Sequence, residues 1–224
     1  IGNLTVYAFP KIVARMEGHT EREGQKALWD YAMLFQLAVC LLFGGFVCVG
    51  AEGIDLLFLH GKFDAAASAS VYFCSCLYLV GQQNNIVRDL IYRYFFGKGN
   101  TGATFRNSVA VSCANLVLSL ILVRFLGLSG IILGTVLAGL LSLVMILIKM
   151  KKYYGLYPEF RGFLVETARN NAVMLLSTAG VLGLKRLLPS LPGLIAIGVY
   201  GLACVGLFVA LAFLFRAKAL KVRL

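Results

Sequence analysis

The chain has 224 residues, 60% hydrophobic and only 14% charged, with a formal net charge of +11 and a mean hydropathy of +0.85. A water-soluble domain of this length cannot hide that much apolar surface, because a large share of its residues must face solvent. The solvent is largely lipid, and the composition excludes an ordinary soluble domain.

The first residue is Ile1, and no segment with a basic start and a small-residue cleavage site follows it. The sequence is therefore expected to be missing its beginning. "IGNLTVYAFP" reads as the end of a preceding span, and 11–30 as a polar cytoplasmic segment. A bilayer core of about 30 Å asks for about 20 apolar residues in a helix. Six stretches qualify: 31–51, 68–95, 107–125, 129–149, 164–184 and 193–215. The fold class is an all-α integral membrane protein with about six transmembrane helices. The domain reading is 1–30 as the tail of a helix plus a cytoplasmic segment, 31–158 as four spans, and 159–224 as two more with a basic tail.

Lys and Arg fall unevenly between the connections. One side receives Lys11, Arg15, Arg22 and Lys26, then Arg93, Lys98 and Arg106. It also receives Lys149, Lys151, Lys152 and Arg161, and finally Arg216, Lys218, Lys221 and Arg223. The other side receives Lys62, Arg124, Lys185 and Arg186. The richer side is cytoplasmic by the positive-inside rule, and with it the C-terminus. This distribution accounts for the basic excess without nucleic acid.

The second span ends in "LVGQQNNIVRD". Polar groups in a span are costly and tend to face a cavity, a partner helix or the interface. Tyr78, Gln82, Asn85, Asp89 and Tyr92 recur at helical spacing and share one face, while Gln83, Asn84 and Arg88 lie elsewhere around the helix. Arg88 is about 30 Å along the axis from Ser68, near the inner boundary. Adjacent helical residues do not face each other, so Arg88 and Asp89 are not expected to neutralise one another. Asp89 has Arg93 four residues on, in the favourable acid-before-base order. Arg88, Asn84, Asn85, Gln82 and Asp89 are therefore the candidate substrate contacts, and Arg88 is the foremost, because a guanidinium fork suits a phosphate. Glu166 and Arg169, three apart in the fifth span, are a candidate structural ion pair, as is Arg93 with Asp89.

In the fourth span Gly130 and Gly134 have a G-x-x-x-G spacing that Ala138 and Ser142 continue, and Ser108, Ser112, Asn115 and Ser119 recur in the third. Small and hydroxylated stripes let helices approach in lipid, and packing is their expected role. No acid, base and nucleophile fall together, so no catalytic residues are assigned. "FGKGNTG" lacks the spacing of a phosphate loop. The six cysteines lie in apolar runs without a C-x-x-C pair, and His19 and His60 are far apart, so neither a metal nor another cofactor is expected.

The order "YAFPKIVARMEG", "LLFLHGKFDA", "IVRDLIYRYFFGKGNTGATFRNS" and "NLVLSLILVRFLGLSGIILGT" resembles the C-terminal half of the MurJ (MviN) lipid II flippases. These belong to the multidrug/oligosaccharidyl-lipid/polysaccharide exporter superfamily. Asn100 stands where that family usually has an aspartate and no proline follows Thr101, a departure shared with polysaccharide-unit flippases. The resemblance implies fourteen helices in two lobes that rock about a cavity, lined mainly by the first, second, seventh and eighth. This chain would hold the end of the eighth and the ninth to fourteenth, the last two forming a groove for a polyprenyl tail. It further implies movement of a lipid-linked cell-wall precursor across the bacterial cytoplasmic membrane, with membrane lipids and an N-terminal lobe as partners. Export of another polyprenyl-linked polysaccharide or teichoic-acid unit, and a non-transporting scaffold for cell-wall enzymes, remain as alternatives. The stretch from Ile91 to Ser108 would be the cytoplasmic turn between the tenth and eleventh helices. Glycines would allow its reversal, Tyr92, Tyr94, Phe95 and Phe96 would form an interfacial belt, and Lys98 and Arg106 would hold it inside.

Overall fold

A computed structural model describes residues 6, 9–14, 20–61, 63–188 and 191–215. Six long helices follow one another: α1 (Glu21–Phe58), α2 (Ala65–Gly97), α3 (Thr101–Leu126), α4 (Leu128–Tyr154), α5 (Glu159–Leu187) and α6 (Gly193–Leu214). Residues 9–14 are also helical, and no strand occurs among the described residues. Arg15, His19, Lys62 and the basic residues from Arg216 to Arg223 lie outside them.

The helix ends follow local chemistry. At the start of α1 the Thr20 amide donates to Glu23 Oε2 at 3.1 Å, and Glu21 and Glu23 place negative charge in the first turn, where exposed amides favour it. Helix therefore begins at Glu21, ten residues before the apolar run and inside the segment expected to be polar connection. Asp64 and Asn100 cap α2 and α3, accepting from Ala67 N (2.8 Å) and Ala103 N (3.3 Å). The glycine-rich stretch reduces to a three-residue turn, 98–100, with Gly99 at φ 69°, a left-handed conformation that glycine takes without a Cβ clash.

Helix α1 is the hub, packing against α2, α5 and α6, while α4 packs against α2 and α3. Trp29, Ala32, Val39 and Cys40 of α1 share the main core with Ile86, Leu90 and Phe95 of α2 and with Ile146 and Met150 of α4. At about 1.5 Å per residue α1 is about 57 Å long, against a hydrocarbon core of about 30 Å. Its first turns therefore project beyond the apolar layer. There Trp29 stacks on Phe163 (5.1 Å) and meets Phe160 (5.0 Å), and Gln25 donates to the carbonyl of Gly155 at 3.1 Å. Arg22 pairs with Glu159 at 2.7 Å and Lys98 with Glu21 at 2.6 Å. One end of α1 thus holds both the α2–α3 turn and the α4–α5 connection.

The outer surface is apolar. Helix α3 buries only Ala103, Thr104 and Asn107, leaving Leu116, Leu120 and Phe125 exposed, and α6 exposes Leu202 and Phe213. Such faces suit lipid, not water. Among the described residues five helices are long and apolar enough to cross a membrane, and α5, which holds the expected span 164–184, is not one of them. Its polar residues explain the difference. Thr167 Oγ1 donates to Gln36 Oε1 of α1 at 2.6 Å, Asn170 is fully buried and Glu166 nearly so. These side chains turn inward against α1, while Leu164, Val165, Leu175 and Leu176 stay exposed, so the outer face of the helix is apolar despite its polar residues.

One further expectation is corrected. Tyr94 and Phe95 are wholly buried, with Phe95 and Tyr154 ring centroids 5.2 Å apart. Only Phe96 of the expected belt is exposed, because the α4–α5 connection folds over the turn. Arg106 donates to its own helix at Gly102 O (3.2 Å).

Candidate functional site

The polar stripe of α2 runs along its seam with α4. Asn85 lies against Gly139, where an added Cβ would come within 2.9 Å of Asn85 Oδ1; that oxygen is buried without a hydrogen-bond partner. Two residues earlier, on the opposite side of the helix, Gln83 Nε2 donates to Met174 Sδ of α5 at 3.8 Å. Gln82 and Asn84 are half-buried between these two contacts, and Tyr78 is exposed. The stripe is therefore enclosed in its middle and open toward Tyr78.

Toward the α2–α3 turn three helices meet around Tyr92. Asn107, fully buried on α3, donates from Nδ2 to Tyr92 Oη (2.8 Å), Ser142 Oγ (2.9 Å) and the Ser142 carbonyl (3.2 Å). Ser142 belongs to the small-residue stripe of α4 and is also buried. A second polar junction lies farther along the same helix pair, where Ser119 and Thr135 both reach Asn115 Oδ1, at 3.1 and 3.3 Å. Asn107 was not legible as a site residue: a single amide at the head of an apolar run looks like an interfacial residue, and the only signal was its polarity one turn inside the helix.

Arg88 sits above this junction, its guanidinium carbon 5.8 Å from the Tyr92 ring centre. It also donates to Asp89 Oδ1 from Nη2 at 2.9 Å and from Nε at 3.2 Å. This corrects the expected pairing. The arginine side chain is long enough to fold back over the half-exposed helix surface and reach the short aspartate, although their Cβ atoms diverge. Arg93 instead lies over the Phe9 ring at 6.0 Å, and its Nε has no hydrogen-bond partner, so it does not hold Asp89. On α5, Arg169 Nη1 donates to Glu166 Oε1 at 2.6 Å.

Of the sequence candidates, the fold brings together Arg88 and Asp89 beside Tyr92. Asn85, one turn earlier on the same face as Asp89, lies against Gly139 of α4. Chemically, the Arg88 region offers a forked cation at a polar patch near the α2–α3 turn, with no nucleophile and base in reach of each other among the described residues. Outside the membrane-spanning segments, the Arg22 guanidinium holds the Glu159 carboxyl below its usual range.

The model of the family "Lipid II flippase MurJ" matches residues 3–199. Among solved structures, "Lipid II flippase MurJ, inward closed conformation" superposes with a TM-score of 0.76 at 16% identity, over 95% of this chain and 42% of that one. The chain thus spans less than half the length of that flippase, and at this identity the likeness shows the fold. No curated protein matches the sequence. A family match over this much of the chain, on an all-helical apolar bundle with the same fold, means that the chain belongs to the lipid II flippase MurJ family, a family of inner-membrane transporters.

Proposed function

We infer that this chain is part of a flippase that carries lipid II, a polyprenyl-linked peptidoglycan precursor, from the inner to the outer leaflet by alternating access. The single observation that carries the reading is the family match over residues 3–199. Chemistry agrees with it: polar side chains kept in the α2–α4 seam and a largely apolar outer face suit a lobe that shields a head group while sliding in lipid. Such transport needs a second lobe, supplied by the rest of the protein. Arg88 is the residue proposed to meet the cargo pyrophosphate, with Asp89 orienting it and Gln82, Asn84 and Asn85 deeper along the same helix. The α2–α3 turn and the C-terminus are assigned to the cytoplasm, since Lys and Arg concentrate on that side. A reporter fused after Leu224 then works only inside the cell.

The test is complementation. The complete gene should restore growth to a strain depleted of its lipid II flippase, and purified protein should move fluorescent lipid II between leaflets of vesicles. Growth failure at normal membrane abundance, with no flipping in vesicles, would overturn the reading.

A further inference from the structure

At the end of the bundle opposite the α2–α3 turn, α1, α5 and α6 enclose a cavity of about 320 Å³ lined by Glu52, Lys185, Leu188, Leu191, Ala196 and Tyr200. We propose that this cavity binds the zwitterionic head group of a phospholipid carrying a primary ammonium, its phosphate on Lys185 and its ammonium on Glu52.

The ion pair on the cavity wall is incompletely used. Lys185 is paired with Glu52, donates to the Cys48 carbonyl at 3.4 Å, and lies 5.7 Å from the centre of the Tyr200 ring. An ammonium has three donors, so one N–H is left over. Glu52 Oε2 is buried and has no hydrogen-bond partner. A buried carboxylate oxygen without a donor is costly, and each such group in a folded protein calls for a partner. One unused donor and one unused acceptor on a shared wall match a ligand that brings one of each. A lone anion would satisfy Lys185 and set negative charge against Oε2. A lone cation would leave the lysine donor unmet. A phosphate joined to a primary ammonium meets both without breaking the existing pair. A quaternary ammonium has no N–H to give. Leu188, on the cavity lining, is itself exposed, which continues the cavity into apolar outer surface where acyl chains belong, so the occupant is a lipid and not a soluble phosphate.

This proposal needs only that the bundle is embedded in a membrane, and it stands or falls separately from the cargo reading. The experiment uses the full-length protein and native mass spectrometry with lipids of identical acyl chains. Phosphatidylethanolamine should be retained about tenfold better than phosphatidylcholine or phosphatidylglycerol, the factor for one charge-assisted hydrogen bond. Retention should fall stepwise through the mono-, di- and trimethylated ethanolamine lipids on the unmodified protein, so that no variant has to fold for the test to work. Glu52→Gln should erase the preference for ethanolamine over choline while phosphate lipids still bind, and Lys185→Gln should weaken ethanolamine and glycerol lipids alike. Soluble glycerophosphoethanolamine should leave the bound lipid in place. Equal retention across the methylation series, as for a cavity that merely holds water, would overturn the proposal. So would an unchanged preference in Glu52→Gln, or displacement by the soluble head group.

Discussion

Arg88 and Asp89 are consecutive on α2, yet both guanidinium nitrogens that reach the carboxylate converge on one oxygen, at 2.9 and 3.2 Å. The side chains are 23% and 39% exposed, and pairs this open contribute only about 0–1 kcal/mol. Asp89 also holds no second helix in place. The pair therefore orients Arg88 more than it stabilises the bundle. In the complete protein, Arg88→Gln should abolish complementation at normal abundance and melting temperature, and Arg88→Lys should restore part of it. Asp89→Asn should keep abundance near normal and reduce activity less than Arg88→Gln. Full complementation by Arg88→Gln at normal expression would remove Arg88 from the cargo path.

The α3–α4 hairpin should tolerate no side chain at Gly130. A Cβ there would lie 2.3 Å from the Leu122 carbonyl oxygen and 2.8 Å from Val123 N, both backbone. Backbone cannot step aside as a side chain can, so Gly130→Ala should destabilise by about 1–3 kcal/mol. Gly206, in α6, has nothing within 4 Å of its Cβ position, and Gly206→Ala should stay within about 0.5 kcal/mol of the parent or gain slightly from helix propensity. Thermal unfolding in detergent compares the two; equal melting points would show that the hairpin relaxes freely.

Acid should loosen the contact between α1 and α5 at their N-terminal ends. Glu159 is hydrogen-bonded by Arg22 at 2.7 Å, which lowers its pKa. The folded state thus binds fewer protons than the unfolded one around that value. The resulting stability is present above the unfolded carboxylate value, about 4.3, and is lost as pH falls through the lower folded value. Arg22 is 61% exposed, so the effect is small and salt should screen it. Glu159→Gln should melt slightly below the parent at pH 7, and the gap should close below about pH 4 and at high salt. A gap that persists in acid would assign the loss to packing.

Helix positions were readable because lipid imposes one requirement on every span, about 20 apolar residues, and this chain repeats it. Helix ends were less so. Glu21, Arg22 and Glu23 look like a loop in a hydropathy reading, yet charge in a first turn satisfies exposed amides. Partners were the least legible. Asn107 and Ser142 are 35 residues apart and Thr167 and Gln36 131 apart, and no local pattern encodes which helix will lie opposite. For the same reason Tyr94 and Phe95 suggested an interface when the α4–α5 connection buries them, and Lys185 read as topology when it pairs with Glu52.

The Asn107 junction measures what such distant pairings contribute. Asn107 Nδ2 has three acceptors within 3.2 Å, and lipid supplies no water to replace them. The intuitive expectation is a large loss on deletion. Two facts argue for a moderate one. Polar pairs between membrane helices average about 0.6 kcal/mol, with a maximum near 1.7, because the alternatives in the membrane are also partnered. Tyr92 Oη and Ser142 Oγ lie 3.3 Å apart, so they can bond each other once the amide is gone. Asn107→Leu, which keeps the volume, should therefore cost about 1 kcal/mol, and Asn107→Ala more, since it adds a cavity. A double-mutant cycle with Tyr92→Phe separates the bond from the packing. Coupling of about 0.6–1.7 kcal/mol between the two positions is expected, read from unfolding in mixed micelles. Additive losses would show that Asn107 fills space between α3 and α4 without tying them together, and the junction would then be packing alone.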